Sequence, residues 1–196
     1  MWACLYESSS RFKLNGFLNF MKLIILDHDG VINYDSNIIT KTPSEWRPIP
    51  GSLEAIAHLY QVGYRVVVAS NQSCDRKALD MLAFNAINDK MHKAVSRAGG
   101  RIDAVFFSPY TNVEKHDSHN SLIMMFEEIA QRFGTDLRNV PVVGDVLSYL
   151  KAAASVGAVP TMVLTGKGKK IRAARDLPKS TRVFADLAAV VDALTK

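Results

Sequence analysis

Lys22-Leu23-Ile24-Ile25-Leu26-Asp27-His28-Asp29-Gly30-Val31-Ile32-Asn33 is the stretch that decides the fold. Four consecutive apolar residues follow the lysine, too few for a helix and dense enough for a strand buried on both faces. The run stops at Asp27, and a second carboxylate follows at Asp29, then a glycine. Ligands of open α/β sheets sit beyond the carboxyl ends of the strands, so acids at that position are placed for chemistry. Two acids one residue apart in an extended segment point the same way, and their repulsion favours a bound cation. The competing interpretation is a surface turn carrying two solvated acids.

Outward from this stretch, strand and helix signals alternate. Residues 28–50 carry little apolar periodicity and are expected to be a long loop leaving the active end of the first strand. Gly51-Ser52 opens a helix with an apolar face at Leu53, Ile56, Ala57 and Leu59, ended by Gly63. Tyr64–Ala69 is a second buried strand, stopping at Ser70-Asn71-Gln72-Ser73. A helix is expected from about Arg76 to Ala98, a third strand from Ile102 to Phe107, and a polar loop from Ser108 to Ser121. A helix from Leu122 to Phe133 precedes a fourth strand, Val140–Val143, which stops at Gly144-Asp145. A helix from Leu147 to Val156, a fifth strand from Thr161 to Leu164, a basic loop Gly166–Lys170 and a closing helix Ala185–Leu194 complete the chain. This alternation predicts an α/β fold with a parallel sheet and helices on both faces, with no second domain.

Asp27, Ser70 and Asp145 therefore end three strands at one edge. For Asp145 alone, a helix N-cap ahead of Leu147 is the competing role.

With 196 residues the chain is long enough to bury a real core. Its 48% hydrophobic and 22% charged content excludes a disordered chain. A net charge of +5 and a pI near 9.2 suit an anionic partner, and a phosphorylated small molecule accounts for them without a nucleic-acid-binding module. Cys4 and Cys74 are too few for a disulfide framework or a thiolate zinc site. With no apolar stretch of spanning length, a cytoplasmic monomer bound to neither membrane nor nucleic acid is expected. Residues 1–20 have no signal-peptide pattern and read as an N-terminal extension that is either a start-site artefact ahead of Met21 or a loose tail, with the domain proper at 21–196.

The motif Asp27-x-Asp29-Gly30-Val31-Ile32-Asn33 resembles the first motif of the haloacid-dehalogenase-like phosphohydrolases. Glu45-Trp46-Arg47-Pro48, Ser70-Asn71-Gln72-Ser73, Gly99-Gly100-Arg101-Ile102-Asp103 and Leu164-Thr165-Gly166-Lys167-Gly168 resemble one branch, the D-glycero-D-manno-heptose 1,7-bisphosphate phosphatases. That resemblance implies a Rossmann-like sheet without a sizeable cap and a Mg²⁺-dependent phosphatase of a sugar bisphosphate. By the same resemblance Asp27 is the nucleophile and Asp29 the acid and base. Asp27, Asp145 and the Asp29 carbonyl hold Mg²⁺, and Ser70, Asn71, Gln72 and Ser73 bind phosphate.

The pattern is broken in places. His28 stands where the family has arginine, and Tyr149 replaces a second aspartate. Ser108–Ser121 lacks the family's thiolate zinc loop, so zinc is not expected, and His116 and His119 read as loop histidines. His119 and Asn120 occupy the positions of an Arg-Lys pair, leaving Lys115 as the nearby cation for phosphate. These losses support a second reading, a non-catalytic descendant that binds phosphates or a partner protein.

Overall fold

The computed structural model describes residues 21–34, 42–70, 81–107 and 118–196. Six strands form one parallel sheet: β1 Lys22–Leu26, β2 Tyr64–Ser70, β3 Ala104–Phe107, β4 Pro141–Gly144, β5 Val159–Val163 and β6 Arg182–Phe184. Their order across the sheet is β3-β2-β1-β4-β5-β6. Helices α1 Ser52–Gln61, α2 Met81–Arg97, α3 Ser118–Phe133, α4 Leu147–Ser155, α5 Gly168–Ala173 and α6 Leu187–Thr195 connect and close it.

The two-residue period of a strand sends alternate β1 side chains into two cores. Ile24 and Leu26 face one layer with α1, α2 and α6, built on Ile56, Leu59, Met91 and Val190. Leu23 and Ile25 face the other, with Phe126 and Ile129 of α3 and Tyr149 and Ala153 of α4. Burying each such large apolar side chain contributes about 1.5–3 kcal/mol, which is why β1, buried on both faces, reads as an unbroken apolar run. Beneath the sheet, Asp103 ties β2 to β3. Its side chain, 6% exposed, accepts from the Val66 amide at 3.0 Å and from Arg65 at 2.7 Å.

Three expectations are corrected. Gly166–Lys170 is not a loop throughout, because its second half starts helix α5. The Ser118–Ser121 segment is the first turn of α3 rather than loop. β6 was not anticipated: three half-exposed or exposed residues on a sheet edge carry no apolar run to signal a strand.

The segment after β1 doubles back on itself. Asn33 bridges Pro48, Tyr34 N–H donates to Arg47 O at 3.1 Å, and Ile49 N–H donates to Ile32 O at 2.9 Å. Trp46, 2% exposed, anchors this return in the core, and Lys90 of α2 donates to the carbonyls of Pro43 and Trp46 at 2.5 and 2.9 Å. The expected 28–50 loop is thus partly an ordered return, with residues 35–41 outside the described set. The 1–20 extension, Asn71, Gln72, Ser73, Lys115 and His116 also lie outside it. No helix among the described residues is long and apolar enough to cross a membrane.

Candidate active site

In the order β3-β2-β1-β4-β5-β6, the chain runs outward one way from β1 through β2 and the other way from β4 through β5. The crevice of such a sheet opens between β1 and β4, at their carboxyl ends. Asp27 follows β1 and Asp145 follows β4 at that point. The strands are in register through Leu26 and Val143, and Asp27 N–H donates to Val143 O at 2.8 Å. Asp27 is 6% and Asp145 2% exposed, so two carboxylates share one largely dehydrated edge. Ser70, 3% exposed, ends the neighbouring β2. Asp27 after β1, Ser70 at the end of β2 and Asp145 after β4 thus lie at one carboxyl edge of the sheet, with Asp29 in the turn that follows β1.

The N-cap alternative for Asp145 fails. Val146 occupies the cap of α4 without a side-chain bond, and Asp145 Oδ2 instead accepts from Lys167 N–H at 2.7 Å.

Asp29 is held from two sides. Its Oδ1 accepts from Asn33 Nδ2 at 2.7 Å and from His28 Nδ1 at 3.1 Å. His28 is buried, and its Nε2 has no partner among the described residues. The turn that follows Asp29 requires Gly30. Its φ is +78°, and a Cβ there would lie 2.2 Å from Asp145 Oδ2. Residue 30 therefore brings bare backbone against the second carboxylate, which no side chain permits.

Tyr149 lies beneath this edge. Its hydroxyl donates to Ala69 O at 3.1 Å and its ring meets Phe126 edge-on at 5.2 Å. Burial, and secondarily the negative charge of Asp27, push its phenol well above the ordinary range. A fixed neutral hydroxyl thus stands where the resemblance led us to expect an acid.

His119 and Asn120 sit in the first turn of α3, half-buried and exposed respectively. Among the described residues no three His, Cys, Asp or Glu side chains form a metal cage.

The loop after β5, whose basic residues read from sequence as either a phosphate contact or a solvated turn, also touches the segments that carry the acids. Thr165 Oγ1 donates to Gly30 O at 2.5 Å across 135 residues of sequence. Asn33 and His28 lie within the motif, and the sequence alone predicts no contact for either. For Asn33 a signal existed, an amide closing an otherwise apolar Val31-Ile32 run and 1% exposed in the fold. For Thr165 the only signal was its place in the family-like stretch Leu164–Gly168, since nothing local links β5 to β1.

Comparison with known proteins agrees with this geometry. A family model for HAD-hydrolase-like proteins matches residues 123–190. The D-glycero-β-D-manno-heptose-1,7-bisphosphate 7-phosphatase of Bordetella bronchiseptica is 48% identical over 175 residues, spanning 89% of this chain and 98% of its own. This chain belongs to the D-glycero-D-manno-heptose 1,7-bisphosphate phosphatase family of HAD-like phosphohydrolases. The Pseudomonas aeruginosa member is 40% identical over 173 residues, spanning 88% of this chain and 97% of its own. The crystal structure of the B. bronchiseptica family member, complexed with magnesium and phosphate, matches with a TM-score of 0.84 over 89% of this chain and 98% of that one. The fold is accordingly HAD-like, with a six-stranded parallel sheet and no large cap. Members of the family are phosphoric monoester hydrolases by name.

Proposed function

We propose that this chain is a Mg²⁺-dependent phosphatase that removes a phosphate from heptose 1,7-bisphosphate through an aspartyl-phosphate on Asp27. The observation that carries the reading is the pair of buried carboxylates, Asp27 and Asp145, at the sheet's switch point, with Asp29 one turn away. The donor set fits Mg²⁺. All the oxygens are hard, Gly30 leaves backbone rather than a side chain against Asp145, and Mg²⁺ binds through one or two carboxylates and keeps the rest of its shell for water and phosphate. Asp27, Asp145 and the Asp29 carbonyl would hold it, and when bound it neutralises phosphoryl charge.

Asp27 attacks phosphorus as the bond to the sugar oxygen breaks, and Asp29, orientated by Asn33 and His28, gives that oxygen a proton. Asp29 then takes a proton from water, which attacks phosphorus and releases Asp27. Ser70, with Asn71, Gln72 and Ser73, supplies hydrogen bonds to the phosphoryl oxygens. A small phosphorylated sugar as the sole partner, a monomeric state, a cytoplasmic setting and a domain spanning 21–196 complete the proposal.

The exposed Asn120 favours the second reading, a non-catalytic descendant, because a neutral amide stands where the resemblance places a lysine. Phosphate release from the heptose bisphosphate in Mg²⁺ separates the two. Turnover that Asp27→Asn abolishes, with the thermal transition retained, is the expected result. No turnover by the parent chain, or unchanged turnover in the variant, would refute it.

A further inference from the structure

The turn that follows β5 does more than lead into α5. Thr165 Oγ1 donates to the Gly30 carbonyl at 2.5 Å, holding the turn that carries Asp29. Two residues on, Lys167 N–H donates to Asp145 Oδ2 at 2.7 Å. Between them Gly166, at φ +54°, lies so close that a Cβ would stand 2.1 Å from Asp145 Oδ2 and 2.7 Å from Gly30 Cα. Gly168 is equally constrained, since a Cβ there would overlap the Val163 carbonyl. One short turn thus touches both segments that bear the proposed metal ligands, and packs the Asp145 carboxylate between two glycine backbones.

We infer that Thr165, Gly166 and the Lys167 amide form a clasp that fixes Asp145 relative to the Asp29–Gly30 turn, and so sets Mg²⁺ affinity. The inference rests on the phosphatase reading above. Thr165 is a positioning residue, because its hydroxyl is spent on Gly30 and it acts through the ligands. The lysine-rich character of the turn is incidental to this role: the two hydrogen bonds come from a threonine hydroxyl and a main-chain amide.

Outer groups that orientate metal ligands typically alter affinity by about 10–100-fold when removed. The test uses the full chain with Mg²⁺ alone as probe, titrated by calorimetry, with thermal unfolding recorded with and without Mg²⁺. Thr165→Val keeps the shape and removes the hydroxyl, Thr165→Ala removes it with less bulk should the valine not fold, and Thr165→Ser restores it. The expected result is a Mg²⁺ dissociation constant at least about tenfold weaker for valine or alanine, a smaller Mg²⁺-induced rise in Tm, and recovery by serine to within about threefold. A merely structural role would lower the Tm of the metal-free chain and leave the dissociation constant alone. Parent-like affinity in the hydroxyl-free variants therefore overturns the clasp while sparing the phosphatase reading. A parent chain that binds no Mg²⁺ overturns both.

Discussion

Gly30→Ala is the perturbation whose consequence the structure states most directly. The added Cβ would sit 2.2 Å from Asp145 Oδ2 and 2.4 Å from its Cγ, where ordinary contact begins at 3.4 Å. The Asp27–Gly30 turn and the Asp145 carboxylate must then part by about 1.2 Å. Neither neighbour yields easily, since Asp145 is tied to Lys167 N–H and Gly30 O to Thr165. The left-handed backbone adds about 1–2 kcal/mol for any L side chain, and overpacking about 1–3 kcal/mol. Misplacement of a reacting group by about 1 Å costs on the order of 10²-fold in rate, or about 2.7 kcal/mol of transition-state stabilisation. The assay is kcat/KM for the heptose bisphosphate in saturating Mg²⁺, beside thermal unfolding. Gly134→Ala is the control: φ is +61° there, and a Cβ would meet nothing within 4 Å. The control should lose stability and keep kcat/KM, whereas Gly30→Ala should lose both. A Gly30→Ala enzyme within about threefold of the parent would refute the claim that this contact sets the site.

Asn120→Lys should raise phosphatase activity about tenfold or more, roughly 1.4 kcal/mol, by restoring the cation that the resemblance places at this position. An unchanged rate with Lys115→Ala inactive would instead assign the role to Lys115. Asp103→Ala should destabilise the chain by about 1–3 kcal/mol in urea unfolding, because the Val66 amide loses its acceptor, while kcat is unaffected at the far end of the strands. Tyr149 keeps its proton in the folded chain after the unfolded chain has lost it, so stability falls as pH rises past the ordinary phenol range. Tyr149→Phe should remove that part of the alkaline slope, about 1.4 kcal/mol per pH unit above about pH 10, and an identical slope in both proteins would refute it.

What was legible in the sequence follows from how the signals are encoded. β1, β2 and β4 and the polar residues at their ends, Asp27, Ser70 and Asp145, are contiguous runs, apolar then polar, and Leu23–Leu26 carries its two-sided burial openly. The helices α1 and α4 were likewise readable from their apolar faces and the glycines after them. β6 was illegible because three residues at an edge bury too little to leave a pattern. α5 was illegible because Gly166 and Gly168 look like loop punctuation, when both are glycine for lack of space. The candidate acids were found by position, but the groups that orientate them were not. Asn33 and His28 act on Asp29 at ranges of four and one residues, within a motif whose acids drew the attention. Thr165 acts on Gly30 through the fold alone, and no local pattern predicts such a contact.

The sheet order explains why that contact exists. β5 lies beside β4, on the side away from β1. Strands are spaced about 4.8 Å apart, so a residue after β5 that reaches the turn after β1 must cross the end of β4. Asp145 is the first residue past the end of β4. A turn taking this route passes over the carboxylate at contact distance, which forces glycine at 166 and offers the next amide, Lys167, as a donor. Burial of Asp145 then follows from covering by backbone rather than by an apolar side chain, and its desolvation is offset by a hydrogen bond with fixed direction. The arrangement covers the β5 side of the edge between β1 and β4. Asp145 is thus a buried acid at the carboxyl edge of the sheet, held in a fixed direction by a main-chain amide.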